Sequence, residues 1–253
     1  MSKLDDIICK DIQELLEYGE ISSAVALGPV MKQRAGVSES FSTKGLPQYF
    51  TGNRRGKTVM VNLNPGMDAK KSDQQWLNRR QDFGDYSKDA FIEYLMDRNE
   101  NFGLYDKDQE NPKKLRYDEF DVKQVALLAP WENSGINLPE NIDWNDRDAC
   151  IDAKTKVICN KYQLELVPYA SSKFAINPKE IHLFRPYVDV LLDEIFSQPR
   201  KYVIFASAIF ERIFKDYNKA YPGTFDLSRQ VAYGDVLKEG GSLRGKCKVI
   251  TMT

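Results

Sequence analysis

The stretch Lys57-Thr-Val-Met-Val-Asn-Leu-Asn-Pro-Gly66 decides the fold, because an apolar run that ends in Asn-Pro-Gly predicts a buried parallel strand leading into a functional loop. Pro65 cannot donate to a β-ladder and Gly66 permits positive φ, so we expect the strand to end at Asn64. Ligands of open α/β folds bind at the carboxyl edge of the sheet. The carboxamide of Asn64, which can donate and accept, is therefore a candidate binding group.

The composition limits the classes of protein to which the chain can belong. Its 253 residues, 42% of them hydrophobic and 29% charged, fit one globular domain with a sizeable core. Within that domain we expect residues 1–56 to form a helical and irregular cover over an α/β core of residues 57–253. No run approaches the roughly 20 apolar residues of a membrane span, and the N-terminus lacks a secretory signal, so we expect a cytoplasmic protein without a membrane partner.

Charge and cysteine usage narrow the choice further. Thirty-six lysines and arginines against 37 aspartates and glutamates give a formal net charge of -1, so nucleic acid could bind only through local patches. The four cysteines show no CxxC spacing and the single histidine is His182, so we expect no metal and no other cofactor. We interpret Asp143, Asp146 and Asp148 as residues that cap a helix and complement its dipole, with a metal site as the alternative.

The distribution of apolar residues predicts the architecture. Strands are predicted at residues 57–64, 125–130, 201–207 and 248–253, with a turn-rich segment at 222–241. Helices are predicted at residues 3–18, 152–165 and 186–197, after Ser87 and after Ser207. Strands separated by helical segments predict an α/β protein, specifically a three-layer α/β/α sandwich with a four-stranded, mainly parallel sheet.

Parallel strands bring their following loops to one edge of the sheet. That edge would carry the segments 64–86 and 130–148 and the residues after Ser207. The cations that could bind phosphates there are Lys70, Lys71, Arg79 and Arg80, although solvated surface charge is the alternative.

A parallel sheet whose first strand ends in Asn62-Leu-Asn-Pro-Gly66 resembles the uracil-DNA glycosylase superfamily, and most nearly its mismatch-specific thymine/uracil branch. The resemblance covers the strand layout from Lys57 to Thr253 and rests on a motif of five residues. It implies a DNA-repair hydrolase that flips a base out of DNA and needs no cofactor. By the resemblance, Asn64 positions the water that attacks the anomeric carbon, while Pro65 and Gly66 shape the pocket floor.

The chain departs from the family pattern in three places. Asn62 stands where the family usually has glycine, so its side chain would narrow the water or base site. The uracil readers end their second strand in an asparagine that reads the base edge, and here the nearest candidate is Asn133. The second catalytic motif, a loop after the fourth strand, would follow Thr253, so we expect it either beyond this sequence or missing from the site.

A glycosylase must stack the flipped base and read its edge. The aromatic residues expected to stack on the base are Phe83, Tyr86 and Trp131, with Trp76 as a further candidate. Loop anchoring is the alternative for these aromatic side chains, and a plain Asx turn is the alternative for Asn64. The sequence thus predicts hydrolysis of an N-glycosidic bond in DNA, and the alternatives are a non-catalytic domain that binds a nucleobase, nucleotide or DNA, or a domain in which the turn is only a turn.

Overall fold

The computed structural model describes residues 2–22, 41–66, 69–80, 87–100, 127–128, 138, 141–143, 145–171, 174, 178–225, 230–233, 237–243 and 247–252. The α-helices are α1 (Lys3–Tyr18), α2 (Ala69–Arg80), α3 (Lys88–Glu100), α4 (Arg147–Asn160), α5 (Arg185–Phe196) and α6 (Ile209–Ala220), and a 3₁₀ helix spans Pro178–Phe184. The strands are β1 (Phe50–Gly52), β2 (Thr58–Asn62), β3 (Lys161–Glu165), β4 (Tyr202–Phe205), β5 (Gln230–Tyr233), β6 (Leu237–Leu243) and β7 (Cys247–Met252).

These strands form one mixed sheet in the order β1-β3-β2-β4-β7-β6-β5. The pairs β3–β2, β2–β4 and β4–β7 are parallel, whereas β1 on one side and β6 and β5 on the other pair antiparallel. The α/β class predicted from the sequence is confirmed. Strand β2, which leads into the Asn-Pro-Gly stretch, lies between the parallel strands β3 and β4. The carboxyl ends of these three strands therefore lie side by side at one edge of the sheet.

The alternation of side chains divides the central strands into two faces. Face 1 contains the buried residues Val59, Val61, Tyr162, Leu164, Val203 and Phe205, which pack in one cluster with residues of α1, α5 and α6. Helix α1 begins with a capping box between Ser2 and Asp5 and turns Leu4, Ile8, Ile12 and Leu15 into this cluster. Burial of one aliphatic side chain stabilises the fold by about 1.5–3 kcal/mol. Among the described residues, face 1 has more buried apolar side chains than face 2.

Face 2 contains Thr58, Met60 and Asn62 of β2 and Lys161, Gln163 and Glu165 of β3. Its apolar part is small: Met60 and Ile204 pack with Leu128 and with Ala153 and Val157 of α4. The polar side chains along β3 are nevertheless buried. This buried polar row is the feature of the fold that positions the candidate site.

Two sequence predictions on the strands are wrong in part. The second strand was expected at residues 125–130, but Leu127 and Leu128, the two residues of that run in the described ranges, are helical. Its place beside β2 is taken by Lys161–Glu165, which the sequence predicted as the end of a helix over 152–165. The helix instead ends at Asn160, because the chain continues as a strand that gains two hydrogen-bonded neighbours, β1 and β2.

Other predicted elements are confirmed within a few residues. They include α1, the helix that Ser87 caps, the helix with Pro186 in its first turn, and the strands near 57–64, 201–207 and 248–253. The turn-rich segment at 222–241 is corrected, since it contains β5 and part of β6. The strand ending in Asn-Pro-Gly stops pairing as a regular strand at Asn62, two residues before the predicted end.

Candidate functional site at the carboxyl edge of the sheet

The loops that follow β2 and β3 leave the sheet together. Leu166 N–H donates to the carbonyl of Asn62 over 2.9 Å, and Val167 N–H donates to the carbonyl of Leu63 over 2.8 Å. On the other side of this loop, the carbonyl of Pro168 accepts from Gln48 N–H over 2.8 Å. Backbone bonds on both sides therefore hold the carboxyl edge of β3 rigidly beside that of β2.

The side chain of Asn64 ties these two loops to each other. Its Nδ2 donates to the carbonyl of Pro65 over 2.9 Å, to the carbonyl of Ser171 over 3.2 Å and to Ser171 Oγ over 3.1 Å. A carboxamide nitrogen has two hydrogens, so these three acceptors use its donor capacity fully. These bonds join two loops through the amide nitrogen and are not those of an Asx turn, in which Oδ1 would accept from a backbone N–H. Oδ1 is the polar atom of Asn64 that they do not use.

A continuous row of hydrogen bonds runs along face 2 to this edge. Lys161 Nζ donates to Gln163 Oε1 over 2.8 Å, and Gln163 Nε2 donates to Glu165 Oε1 over 2.8 Å. Asn62 Nδ2 donates to the same Glu165 oxygen over 3.1 Å. The row therefore ends at a carboxyl group that lies between the carboxyl ends of the two strands.

The two oxygens of Glu165 have different surroundings. Oε1 accepts two N–H groups, whereas Oε2 is buried and has no hydrogen-bond partner among the described residues. Burial raises the pKa of Glu165 to about 7, against the opposing effects of the bonds from Gln163 and Asn62 and of the Lys161 charge. A carboxyl group with such a pKa exchanges its proton near neutral pH, which is what acid–base chemistry or the recognition of a ligand proton requires.

The other predicted site residues divide into three groups. Pro65 is half-buried and Gly66 is exposed at the start of the loop, where an added Cβ would meet no atom within 4 Å. Lys70 and Lys71 are exposed in the first turn of α2, and Arg79 and Arg80 are in the same helix. The remaining candidates, Phe83, Tyr86, Trp131 and Asn133, lie outside the described residues.

Several residues considered in the sequence have structural roles instead. Trp76 is buried in the core, with its ring 5.6 Å from that of Phe91, so it does not lie open for a base to stack on it. Asp146 Oδ1 accepts from Asp148 N–H and Ala149 N–H, which is the capping interpretation. His182 is exposed in the 3₁₀ helix, before β4.

Sequence reasoning missed Glu165 because its segment was assigned to a helix. A signal was available: Tyr162-Gln-Leu-Glu-Leu166 alternates apolar and polar residues and the chain then reaches Pro168, much as the apolar run from Val59 reaches Pro65. Period-two alternation before a proline is typical of a strand that ends at a loop. What the sequence does not reveal is that the polar side of this strand is buried.

An open cavity of about 600 Å³ lies at the opposite end of β2, near the turn before the strand. Its lining includes Asp5, Arg54 and Glu194. The Arg54 guanidinium is already engaged by Asp5 at 2.8 Å and by Glu194 at 2.7 Å. This cavity therefore surrounds a structural ion-pair network, and the carboxyl edge with its half-satisfied acid is the stronger candidate site.

The described residues contain no group of three or more His, Cys, Asp or Glu side chains arranged to hold a metal ion. Among the helices of the described ranges, none has the length and apolar character needed to cross a membrane. A scan against protein-family models and searches of curated proteins and of solved structures gave no match for this chain. The chemistry of the carboxyl edge is therefore the basis for a functional proposal.

Proposed function

We propose that the chain binds a nucleobase at the carboxyl edge of β2 and β3 and hydrolyses the N-glycosidic bond that joins this base to DNA. The observation that carries the proposal is the hydrogen-bonded pair of Asn62 and Glu165 beside the Asn-Pro-Gly loop. An amide and a titratable carboxyl supply both donors and acceptors, which the edge of a base requires. The proposal includes a cytoplasmic protein and a three-layer α/β/α arrangement around the four parallel strands β3, β2, β4 and β7.

Asn64 would position the attacking water in this proposal. Its NH₂ group is held by Pro65 and Ser171, so the direction of Oδ1 is fixed. Oδ1 can then accept one O–H bond of a water and leave a lone pair of that water free to attack the sugar. Alignment of this kind can supply much of the acceleration when the transition state resembles an oxocarbenium ion and needs no strong base.

The pair Asn62–Glu165 would hold the base. Asn62 gives one of its two Nδ2 hydrogens to Glu165. In this proposal the other hydrogen and the amide oxygen of Asn62, together with the buried Oε2 of Glu165, bond to the base once it enters the site. A neutral Glu165 can also stabilise the negative charge that develops on the leaving base by donating a hydrogen bond to it. Lys70 and Lys71, exposed just after the loop, are in a suitable part of the chain to contact phosphates.

The second candidate function is binding of a nucleobase, nucleotide or DNA without hydrolysis. The observation that favours it is the bonding of Asn64, whose amide nitrogen serves the backbone of two loops. In that function Asn64 is a positioning residue, and Asn62 and Glu165 form the site.

Hydrolysis and binding can be separated with single-stranded and duplex DNA that contains one uracil or one mismatched thymine. Abasic-site formation measures hydrolysis, and fluorescence anisotropy measures binding. The first function is supported if the wild-type chain hydrolyses the bond and the hydrolysis rate falls about 10²-fold in Asn64→Ala while DNA binding is retained. Binding that is lost in Asn62→Ala, without hydrolysis by any form, supports the second.

Two further variants make the test specific to this edge. Gly66→Ala adds a methyl group to open space, so it should leave folding unchanged and weaken binding if a ligand lies over the loop. Gln198→Ala, at an exposed position beside the cavity at the opposite end of β2, should change neither property. If the folded wild-type chain bound neither DNA nor free uracil, thymine or their nucleotides, both functions would be overturned.

A further inference from the structure

The unequal environments of the two Glu165 oxygens determine where its proton lies. Oε1 already accepts N–H groups from Asn62 and Gln163, and two hydrogens pointing at one oxygen leave no room for a third. The neutral acid therefore carries its proton on Oε2. That oxygen is buried and has no hydrogen-bond partner within the described ranges, a condition that is uncommon in folded proteins because such a group has lost its bonds to water without gaining others.

We propose that Glu165 selects the base through Oε2, so that the neutral acid accepts bases with a carbonyl at that position and the carboxylate accepts bases with an exocyclic amine there. This inference rests on the proposed nucleobase site, whether or not the site hydrolyses. The neutral form offers O–H to uracil, thymine or hypoxanthine. The ionised form has only acceptors and would instead take the N–H of cytosine or adenine.

The neighbours of Glu165 favour a change of state near neutral pH. Burial favours the neutral form of Glu165. The charge of Lys161, which is linked to Glu165 by hydrogen bonds through Gln163, favours the carboxylate. Among the described residues, Tyr187 of α5 also interacts electrostatically with Glu165, and its own pKa is raised well above the usual range by burial and by the charges of Asp11, Glu165 and Glu194. Tyr187 is thus neutral whenever Glu165 titrates, so within the described ranges Lys161 is the charged side chain that acts on the pKa of Glu165.

The amide oxygen of Asn62 completes the recognition of one edge. Asn62 gives one Nδ2 hydrogen to Glu165 and keeps its amide oxygen as an acceptor and its second hydrogen as a donor. With neutral Glu165 the pair can present a donor and an acceptor, which complements the adjacent C=O and N–H of a lactam base. With ionised Glu165 a lactam carbonyl would face an oxygen with no hydrogen between them, whereas cytosine can donate its exocyclic N–H to Oε2 and accept at N3 from the second hydrogen of Asn62.

The test compares two single-stranded oligonucleotides that differ by one base, deoxyuridine or deoxycytidine, at pH 6 and pH 8.5. The ratio of their dissociation constants cancels pH effects on phosphate contacts, which both share. With a pKa of about 7, the neutral fraction of Glu165 falls about 30-fold between these two values, so the preference for uracil should fall by about that factor or reverse. A wild-type ratio that does not change with pH overturns the proposal.

Glu165→Gln is the matched variant, because its amide oxygen can accept from Asn62 and Gln163 while its NH₂ group permanently imitates the proton on Oε2. Its preference for uracil should be the same at both pH values. Glu93→Gln, at an exposed position of α3, should keep the wild-type pH dependence. A pH dependence that persists in Glu165→Gln overturns the proposal but not the binding site, whereas failure of the wild-type chain to bind either oligonucleotide overturns both.

Discussion

At the level of single residues, burial gives Glu165 properties that the sequence does not show. The unfolded chain presents an ordinary glutamate, with a reference pKa of 4.5, whereas the folded chain presents one with a pKa of about 7. The cause is the loss of water around a carboxylate that keeps hydrogen bonds on only one oxygen. The same environment that makes Glu165 useful near neutral pH therefore makes it costly for stability.

The first prediction is that Glu165→Gln flattens the pH dependence of stability. Since the folded pKa is higher, the native state binds more protons than the unfolded state between pH 4.5 and 7. The contribution of Glu165 to the free energy of unfolding is therefore most favourable below pH 4.5. It is lost as the pH rises to about 7. The loss is about 3 kcal/mol. Urea unfolding of both forms at several pH values measures it, and curves that run parallel would contradict the shift.

The second prediction concerns Asp11, which is fully buried on α1 and accepts hydrogen bonds from Tyr49 and Tyr169. Asp11→Ala leaves two buried hydroxyl groups without this acceptor, so the free energy of unfolding should fall by about 2–4 kcal/mol. Asp6→Ala, at an exposed position of the same helix, should change it by about 0.5 kcal/mol or less. Equal effects of the two substitutions in chemical denaturation would refute the role of Asp11.

At the level of elements, the sequence predicts those whose apolar pattern is local. Helices α1 and α5 have regular apolar stripes and recognisable starts, and β4 has a continuous apolar run. Strand β3 was missed because Lys161, Gln163 and Glu165 look like exposed residues, although their burial comes from neighbours distant in the sequence. The same holds for the candidate site. The sequence predicts Asn64 from its position at the end of a strand and Asn62 from the family resemblance, whereas their partners Glu165 and Ser171 depend on a strand pairing that only the fold establishes.

The third prediction is that the turn before β2 connects helices α1 and α5 through one arginine. Arg54 bonds to Asp5 of α1 and Glu194 of α5, and the same Glu194 oxygen accepts from Tyr162 over 2.9 Å. Glu194 is only 3% exposed, so Arg54→Met should lower the free energy of unfolding by about 3 kcal/mol.

The neighbouring arginine supplies the control for this substitution. Arg55→Met changes an exposed side chain and should have an effect of about 0.5 kcal/mol or less. Thermal or urea unfolding measures both variants. If Arg54→Met were as stable as Arg55→Met, the link between the two helices would be unimportant.

At the level of the whole molecule, a net charge of -1 means that DNA cannot be attracted over a distance by the chain as a whole. Contact with phosphates would depend on local cations, of which Lys70 and Lys71 follow the candidate site. The fourth prediction concerns the slope of the logarithm of the DNA-binding constant against the logarithm of the salt concentration. Each phosphate contact contributes about 0.9 to this slope, so a few contacts should give a shallow slope. Replacing both lysines by glutamine should flatten the slope by about 2.

Binding titrations at several salt concentrations give this slope. A slope that is unchanged in the double variant would show that the phosphates lie elsewhere on the molecule. A binding constant that falls at one salt concentration without a change in slope would indicate a loss of folding or of base contacts instead, and the unfolding curve of the variant distinguishes these two causes.

The proton on Glu165 can be observed directly through the ¹³C chemical shift of its side-chain carboxyl, followed against pH with and without a uracil-containing oligonucleotide. We predict a midpoint at about pH 7 for the free chain and a higher midpoint in the complex, because a bound carbonyl stabilises the neutral acid. A midpoint at about 4.3, the value of an ordinary glutamate, or a midpoint that the oligonucleotide leaves unchanged, would contradict the assignment of the carboxyl edge as the site that binds the base.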